Sequence, residues 1–229
     1  MSELGYIKEN YESLVGEIKA LSAKYSRAVT LVAVTKSGND DELLALGAAG
    51  VSDVGENRPG ELKRRGELLL SEGYSPRLHE IGSLQRNKVK YIIDRVHLIH
   101  SLDSLQLAAE IDRQAKKVGR RVPVLIEINS GKEESKGGIL PEDAEEFARE
   151  VRKFDSLILS GLMTMGPNLP DPELLRPYFR ATKEIFDRME RDGAFEGEPI
   201  LSMGMSDSYR QAIEEGSTLV RVGRRLFLH

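Results

Sequence analysis

Apolar positions fall into two rhythms that alternate along the chain. In residues 4–25, Ile7, Tyr11, Leu14, Ile18, Leu21 and Tyr25 recur at steps of three and four, a single stripe that predicts a helix with one buried face. Residues 29–36, Val-Thr-Leu-Val-Ala-Val-Thr-Lys, then run almost unbroken in β-branched and aliphatic side chains, as a strand covered on both faces does. Asn39 with Asp40, Asp41 and Glu42 supplies a cap and an acidic first turn for a helix that stops at Gly50. The two rhythms keep exchanging from there. Further strands are predicted at 51–54, 77–81, 96–100, 122–128, 157–163, 199–203 and 218–222. Helices are predicted at 59–70 and 88–94, from Asp103 onward, from Pro141 onward, at 177–192 and at 209–215, with a last turn over 224–229.

Strands alternating with helices, after one extra N-terminal helix, predict the α/β class and a single (β/α)8 barrel of the TIM type filling 1–229 as one domain. A doubly wound open sheet is the runner-up, because counting strands does not establish closure.

Composition narrows the function more than the fold. With 40% hydrophobic and 31% charged residues, the chain can build a packed core under a charged surface. A net charge of −4 argues against general nucleic-acid binding. The absence of cysteine excludes disulfides, thiolate metal sites and cysteine nucleophiles. Residues 1–5 show no basic stretch leading into an apolar run, and no segment nears the roughly 20 apolar residues of a membrane span, so the cytoplasm is the expected location. His79, His97 and His100 lack metal-ligand spacing and read as structural, and residues 132–136 read as a solvated loop. Lys63, Arg64 and Arg65, balanced by Glu61 and Glu67, read as helix surface.

A TIM-type barrel places its chemistry at the carboxyl ends of its strands. Lys36 follows the first strand; Glu56 and Asn57 the second; Gly82 and Gln85 the third; His100 and Ser101 the fourth. Asn129 follows the fifth strand, Met163 and Thr164 the sixth, residues 202–206 the seventh and residues 221–224 the eighth. A lysine ending a core strand is a candidate for attack on a carbonyl carbon, because desolvation removes its proton readily. Gly204 with Ser206, and Gly223 with Arg224, offer glycine turns before helices in the two loops where such barrels often hold phosphate, expected opposite Lys36. An amine and a phosphate cradle together are what pyridoxal 5′-phosphate requires.

Several stretches strengthen that reading: 33–36 (Ala-Val-Thr-Lys), 55–57 (Gly-Glu-Asn), 82–89 (Gly-Ser-Leu-Gln-Arg-Asn-Lys-Val), 99–104, 133–138, 161–165, 201–206 (Leu-Ser-Met-Gly-Met-Ser) and 220–223. In these the chain resembles the pyridoxal phosphate homeostasis proteins, a family similar in fold to the barrel domain of alanine racemase. The resemblance implies that Lys36 is the Schiff-base lysine and that Asn57 and Met163 line the cofactor. It further implies that Ser206, Gly223 and Arg224 hold the phosphate, that Arg221 faces the pyridine nitrogen, and that Ser202 lies on the right strand end. An arginine there disfavours protonation of the ring and weakens it as an electron sink. The chain departs from the family's usual pattern at Ser83 (usually His), at Asp207-Ser208, and at Arg224 (usually Thr or Ser).

The function implied is a monomeric carrier or buffer of pyridoxal phosphate, with little or no turnover and with pyridoxal-phosphate-dependent apoenzymes as recipients. The alternative is an amino-acid racemase of the alanine type, whose second base is a tyrosine supplied by a second domain across a dimer; barrel tyrosines such as Tyr74 or Tyr209 are the candidates for that base here.

Overall fold

The computed structural model describes residues 4–228. A long helix α1 (Gly5–Lys24) precedes β1 (Thr30–Val34), α2 (Asp40–Ala48), β2 (Asp53–Glu56), α3 (Pro59–Ser71) and β3 (Arg77–Glu80). Then come β4 (Leu98–Leu102), α4 (Leu105–Lys117), β5 (Val122–Glu127), α5 (Ala144–Val151), β6 (Leu157–Met163) and α6 (Arg176–Arg191). The chain ends through β7 (Ile200–Ser202), α7 (Tyr209–Glu214) and β8 (Leu219–Val222). The strands pair in sequence order, all parallel, and β8 closes the ring against β1 with Thr30 opposite Leu219 and Ala33 opposite Val222. The fold is the TIM-type barrel and not the open sheet.

Local chemistry explains most boundaries. Asn39 and Glu42 form a reciprocal capping box at the start of α2, each side chain bonding the other's backbone N–H. Pro59 opens α3 where a missing N–H does no harm.

Several expectations need correction. The segment expected as a helix at 88–94 is a 3₁₀ helix, Arg86–Tyr91, in a short crossover where tight turns suffice to bury Val89. The second strand starts at Asp53 and not at 51. The fourth runs on to Leu102, because its ladder to β5 continues to the Leu102–Ile126 pair. His100 and Ser101 therefore lie inside that strand, buried, and not at its rim. The last turn is a 3₁₀ helix, Arg224–Leu226; His229, included in the expected turn, lies outside the described residues.

Side chains on the two faces of the wall form separate apolar clusters. Outward-facing residues such as Ala33, Val54, Ile99, Val124, Ile126, Leu162, Leu201 and Val220 join the helices in one large core. A small inner cluster holds Val32, Leu98, Leu125, Met163 and Leu219. Alternation along β1 turns Val32 and Val34 to the inner side, and Lys36 follows two residues past the strand's carboxyl end, at the barrel mouth.

Candidate functional site

Lys36 is held from behind. The Arg65 side chain of α3 is buried, and its guanidinium donates to the carbonyls of Thr35 and Gly38, the latter at 2.7 Å, on either side of Lys36. It also pairs with Glu56 at 3.0 Å, and the Thr35 hydroxyl donates to the same carboxylate. Burial pushes the Glu56 carboxyl up, against the pull of Thr35 and Arg65. Arg65 is thus no part of a helix surface, as its sequence neighbours had implied. Its spacing from Leu62 and Leu69, on the buried face of α3, is the signal that distinguishes it from Lys63 and Arg64. Lys36 itself is exposed, with no hydrogen-bond or ion-pair partner among the described residues, so the desolvation expected of it is not supplied by the protein alone.

The glycine turns adjoin Lys36. Because the barrel closes through β8 against β1, the loop after β8 is a neighbour of the Lys36 loop and does not lie opposite it. Gly223 lies so close to β1 that a Cβ on it would come within 2.8 Å of the Val34 carbonyl oxygen. Its N–H donates to the Ser206 hydroxyl at 3.2 Å, which ties the loop after β8 to the loop after β7. Gly204 has φ +90°, and a Cβ there would meet the side chain of Ala212 at 2.6 Å, so the turn needs glycine. Its carbonyl accepts from the Arg221 N–H at 3.1 Å. Arg224 behaves differently: its guanidinium pairs with Asp207 on the exposed rim.

Arg221 points into the barrel and is buried. One terminal nitrogen donates to both the Ser202 carbonyl, at 3.1 Å, and the Ser202 hydroxyl; the other donates to the Thr164 carbonyl at 3.2 Å. The Nε hydrogen and one terminal hydrogen have no partner among the described residues. Burial pushes the guanidinium down to about 10, partly offset by Glu127, and leaves it a cation at neutral pH. Glu127 is itself pushed up by burial and by Asp103, with Arg221 opposing.

Met163 is buried in the inner apolar cluster, and Ser202 is buried beside Arg221. Asn57 is exposed and lines a groove of about 650 Å³ with Arg58, Ser83, Gln85 and Lys88. Asn129 bonds its own loop, through the Glu133 carbonyl at 2.9 Å and the Glu133 N–H at 3.1 Å. Lys136 reaches Glu133 at 2.8 Å and the Gly166 carbonyl at 3.3 Å, joining the loops after β5 and β6. The histidines hold a feature the sequence did not reveal: His79 and His100 form a buried chain from Asp53 to Ser202. Among the described residues no cluster of three or more histidines and carboxylates could hold a metal, and no helix is long and apolar enough to cross a membrane.

Known proteins share this fold over nearly the whole chain. The family model for the alanine racemase N-terminal domain matches residues 8–229. A pyridoxal phosphate homeostasis protein of Aquifex aeolicus is 44% identical over 178 residues, covering 78% of this chain and 77% of that protein. One from Helicobacter pylori is 34% identical over 224 residues, covering 96% and 97%. PipY of Synechococcus elongatus, solved with pyridoxal phosphate bound, superimposes with a TM-score of 0.84 at 27% identity, covering 97% of this chain and all of that one. With this architecture and these relatives, the chain belongs to the pyridoxal phosphate homeostasis protein family.

Proposed function

We propose that this protein binds pyridoxal 5′-phosphate and serves in its homeostasis, holding and releasing the cofactor with little or no catalytic turnover. The cofactor supplies an aldehyde that condenses with a primary amine. The observation that carries the reading is the meeting, at one rim, of a lysine without a partner among the described residues, a pair of stitched glycine turns and a buried guanidinium with N–H groups that no described residue uses. Lys36 is the amine. The backbone N–H groups about Gly204 and Gly223, with the Ser206 hydroxyl, suit a phosphate. The unused N–H groups of Arg221 suit an aromatic nitrogen acceptor, with Ser202 setting the guanidinium's direction. Met163 and Asn57 complete the lining, and Arg224 contributes through its backbone.

Non-catalytic binding is favoured by the placement of the tyrosines. Tyr74 lies in the loop entering β3, at the far end of the barrel, where its ring packs on Gly47. The Tyr209 hydroxyl is tied to Glu17 and Arg225, and burial followed by the Glu17 bond pushes its pKa up. Neither is poised as a second base. The reading includes a monomer in the cytoplasm that hands the cofactor to apoenzymes requiring it.

Adding pyridoxal phosphate to the purified protein should produce an absorbance band at the visible edge. Lys36→Ala should lose the band while keeping the far-ultraviolet circular dichroism of the folded barrel. A colourless wild type would refute the binding, and sustained racemisation of L-alanine by pure protein would refute the non-catalytic role.

A further inference from the structure

A buried polar path runs through the barrel from the candidate ligand site toward its floor. The Arg221 guanidinium donates to the Ser202 hydroxyl; Ser202 Oγ lies 3.0 Å from His100 Nδ1; His100 Nε2 lies 2.9 Å from His79 Nδ1; and His79 Nε2 lies 2.9 Å from an Asp53 carboxylate oxygen. The other Asp53 oxygen accepts from Arg77 at 2.7 Å. Arg221, Ser202, His100, His79 and Asp53 are all buried, and only Arg77 reaches solvent.

The ends of this path fix the direction of every bond in it. Asp53 is ionised, so His79 must donate to it from Nε2. A neutral His79 then accepts at Nδ1, which makes His100 the donor from Nε2. His100 in turn accepts at Nδ1, and only the Ser202 hydroxyl can donate there. Ser202 is left to accept from Arg221. All donors point the same way, from the cation at the mouth to the anion at the floor, an alignment in which each bond polarises the next. Both imidazoles are neutral in this arrangement. Burial pushes them down, His100 furthest, and for His79 it outweighs the opposing pull of Asp53. The charged and titratable groups facing them are Asp53 from β2, Arg77 from β3, His97 before β4 and Arg221 from β8, with Glu127 from β5 acting on Arg221.

We propose that His100 and His79 are positioning residues: with Ser202 and Asp53 they form a one-way hydrogen-bond wire that holds the Arg221 guanidinium in the orientation that meets the ligand. The identity of the ligand rests on the function proposed above, whereas the wire itself does not. A cut inside the barrel, away from the rim, should therefore be felt at the rim.

Two measurements test this. In ¹H–¹⁵N spectra of the ligand-free protein, two imidazoles should carry their proton on Nε2 and stay neutral at a pH where an ordinary histidine has already charged. Imidazoles that titrate near the ordinary histidine value, or that carry Nδ1–H, would overturn the wire whether or not the protein binds pyridoxal phosphate. In binding titrations with pyridoxal phosphate, His100→Leu should weaken affinity about fivefold, the scale of one buried hydrogen bond. His100→Asn keeps an acceptor facing Ser202 and should stay within about twofold of wild type. Equal affinity for His100→Leu and wild type would overturn the positioning role. If His100→Leu does not fold, Asp53→Asn takes its place: removal of the anion should mix the imidazole tautomers and weaken binding, and unchanged tautomers would refute the proposal. Failure of the wild type to bind at all would remove the proposed function but leave the tautomer measurement standing.

Discussion

Along β4, Ile99 and Leu102 press outward among the helices, while His100 between them turns inward to His79 and Ser202. The same division holds around the barrel. Outside, the wall meets the helices through one continuous apolar core, interrupted by the polar knot of Thr35, Glu56 and Arg65 that grips the Lys36 loop. Inside, five apolar side chains share the space with Asp53, His79, His100, Ser202 and Arg221. The outer face holds the barrel together by removing hydrocarbon from water, which asks little of direction. The inner face depends on hydrogen-bond direction, since a buried polar group without its partner is costly. Stability therefore resides chiefly in one face and specificity in the other, and the outer polar knot is the place where the two are coupled.

The largest expected effect comes from breaking that knot. Arg65→Met keeps the apolar stem but leaves Glu56 as a buried carboxylate without its cation and frees the carbonyls beside Lys36. Breaking one partner of a buried pair costs about 3–5 kcal/mol, readable in urea unfolding. Cofactor uptake should fall as well, because the Lys36 loop loses its anchor. A variant as stable as wild type would show that the knot adds nothing to the outer core.

The inner face makes a smaller, pH-dependent contribution. Burial acts to raise Asp53, but the hydrogen bonds from His79 and Arg77 outweigh it and hold the carboxyl at about 2, below its ordinary 3.8. A depressed carboxylate stabilises the fold above its unfolded pKa and loses that stabilisation as pH falls through the folded value. The contribution, about 2 kcal/mol, should be intact at pH 5 and should disappear between roughly pH 4 and pH 2. The gap in unfolding free energy between wild type and Asp53→Asn should narrow over that window. A gap that stays constant with pH would mean that Asp53 is not the anion at the end of the wire.

The two faces were unequally legible in the sequence. Outward-facing positions announced themselves through apolar runs and helical stripes, and β6 was placed to the residue, 157–163. The carboxyl-end rule placed Lys36, Ser206 and Gly223 at one rim from strand order alone, although it set the glycine turns opposite the lysine when closure makes them neighbours. The wire was invisible. Its links join residues 26, 21, 102 and 19 positions apart, and nothing local to His79 or His100 marks them as partners. The sequence pattern sets β4 two residues early because its histidine and serine look like the end of an apolar run, while the pairing that extends it belongs to β5. Arg65 was hidden by two surface cations beside it in sequence.

Arg224 gives the smallest effect and the sharpest limit on the site. Chain position puts it at the turn proposed for the phosphate, within reach of an anion there. The structure instead pairs that guanidinium with Asp207, with both side chains about two-thirds exposed. An exposed pair of this kind contributes well under about 1 kcal/mol, because water and salt screen it and two long side chains must be ordered to make it. Arg224→Thr should therefore leave the urea midpoint within error of wild type. It should also leave the affinity for pyridoxal phosphate within about twofold, since the backbone N–H of the turn is retained. A tenfold loss, relieved by moderate salt, would mean that the guanidinium leaves Asp207 for the ligand, and the exposed rim would then have to be counted with the inner face as part of the recognition surface.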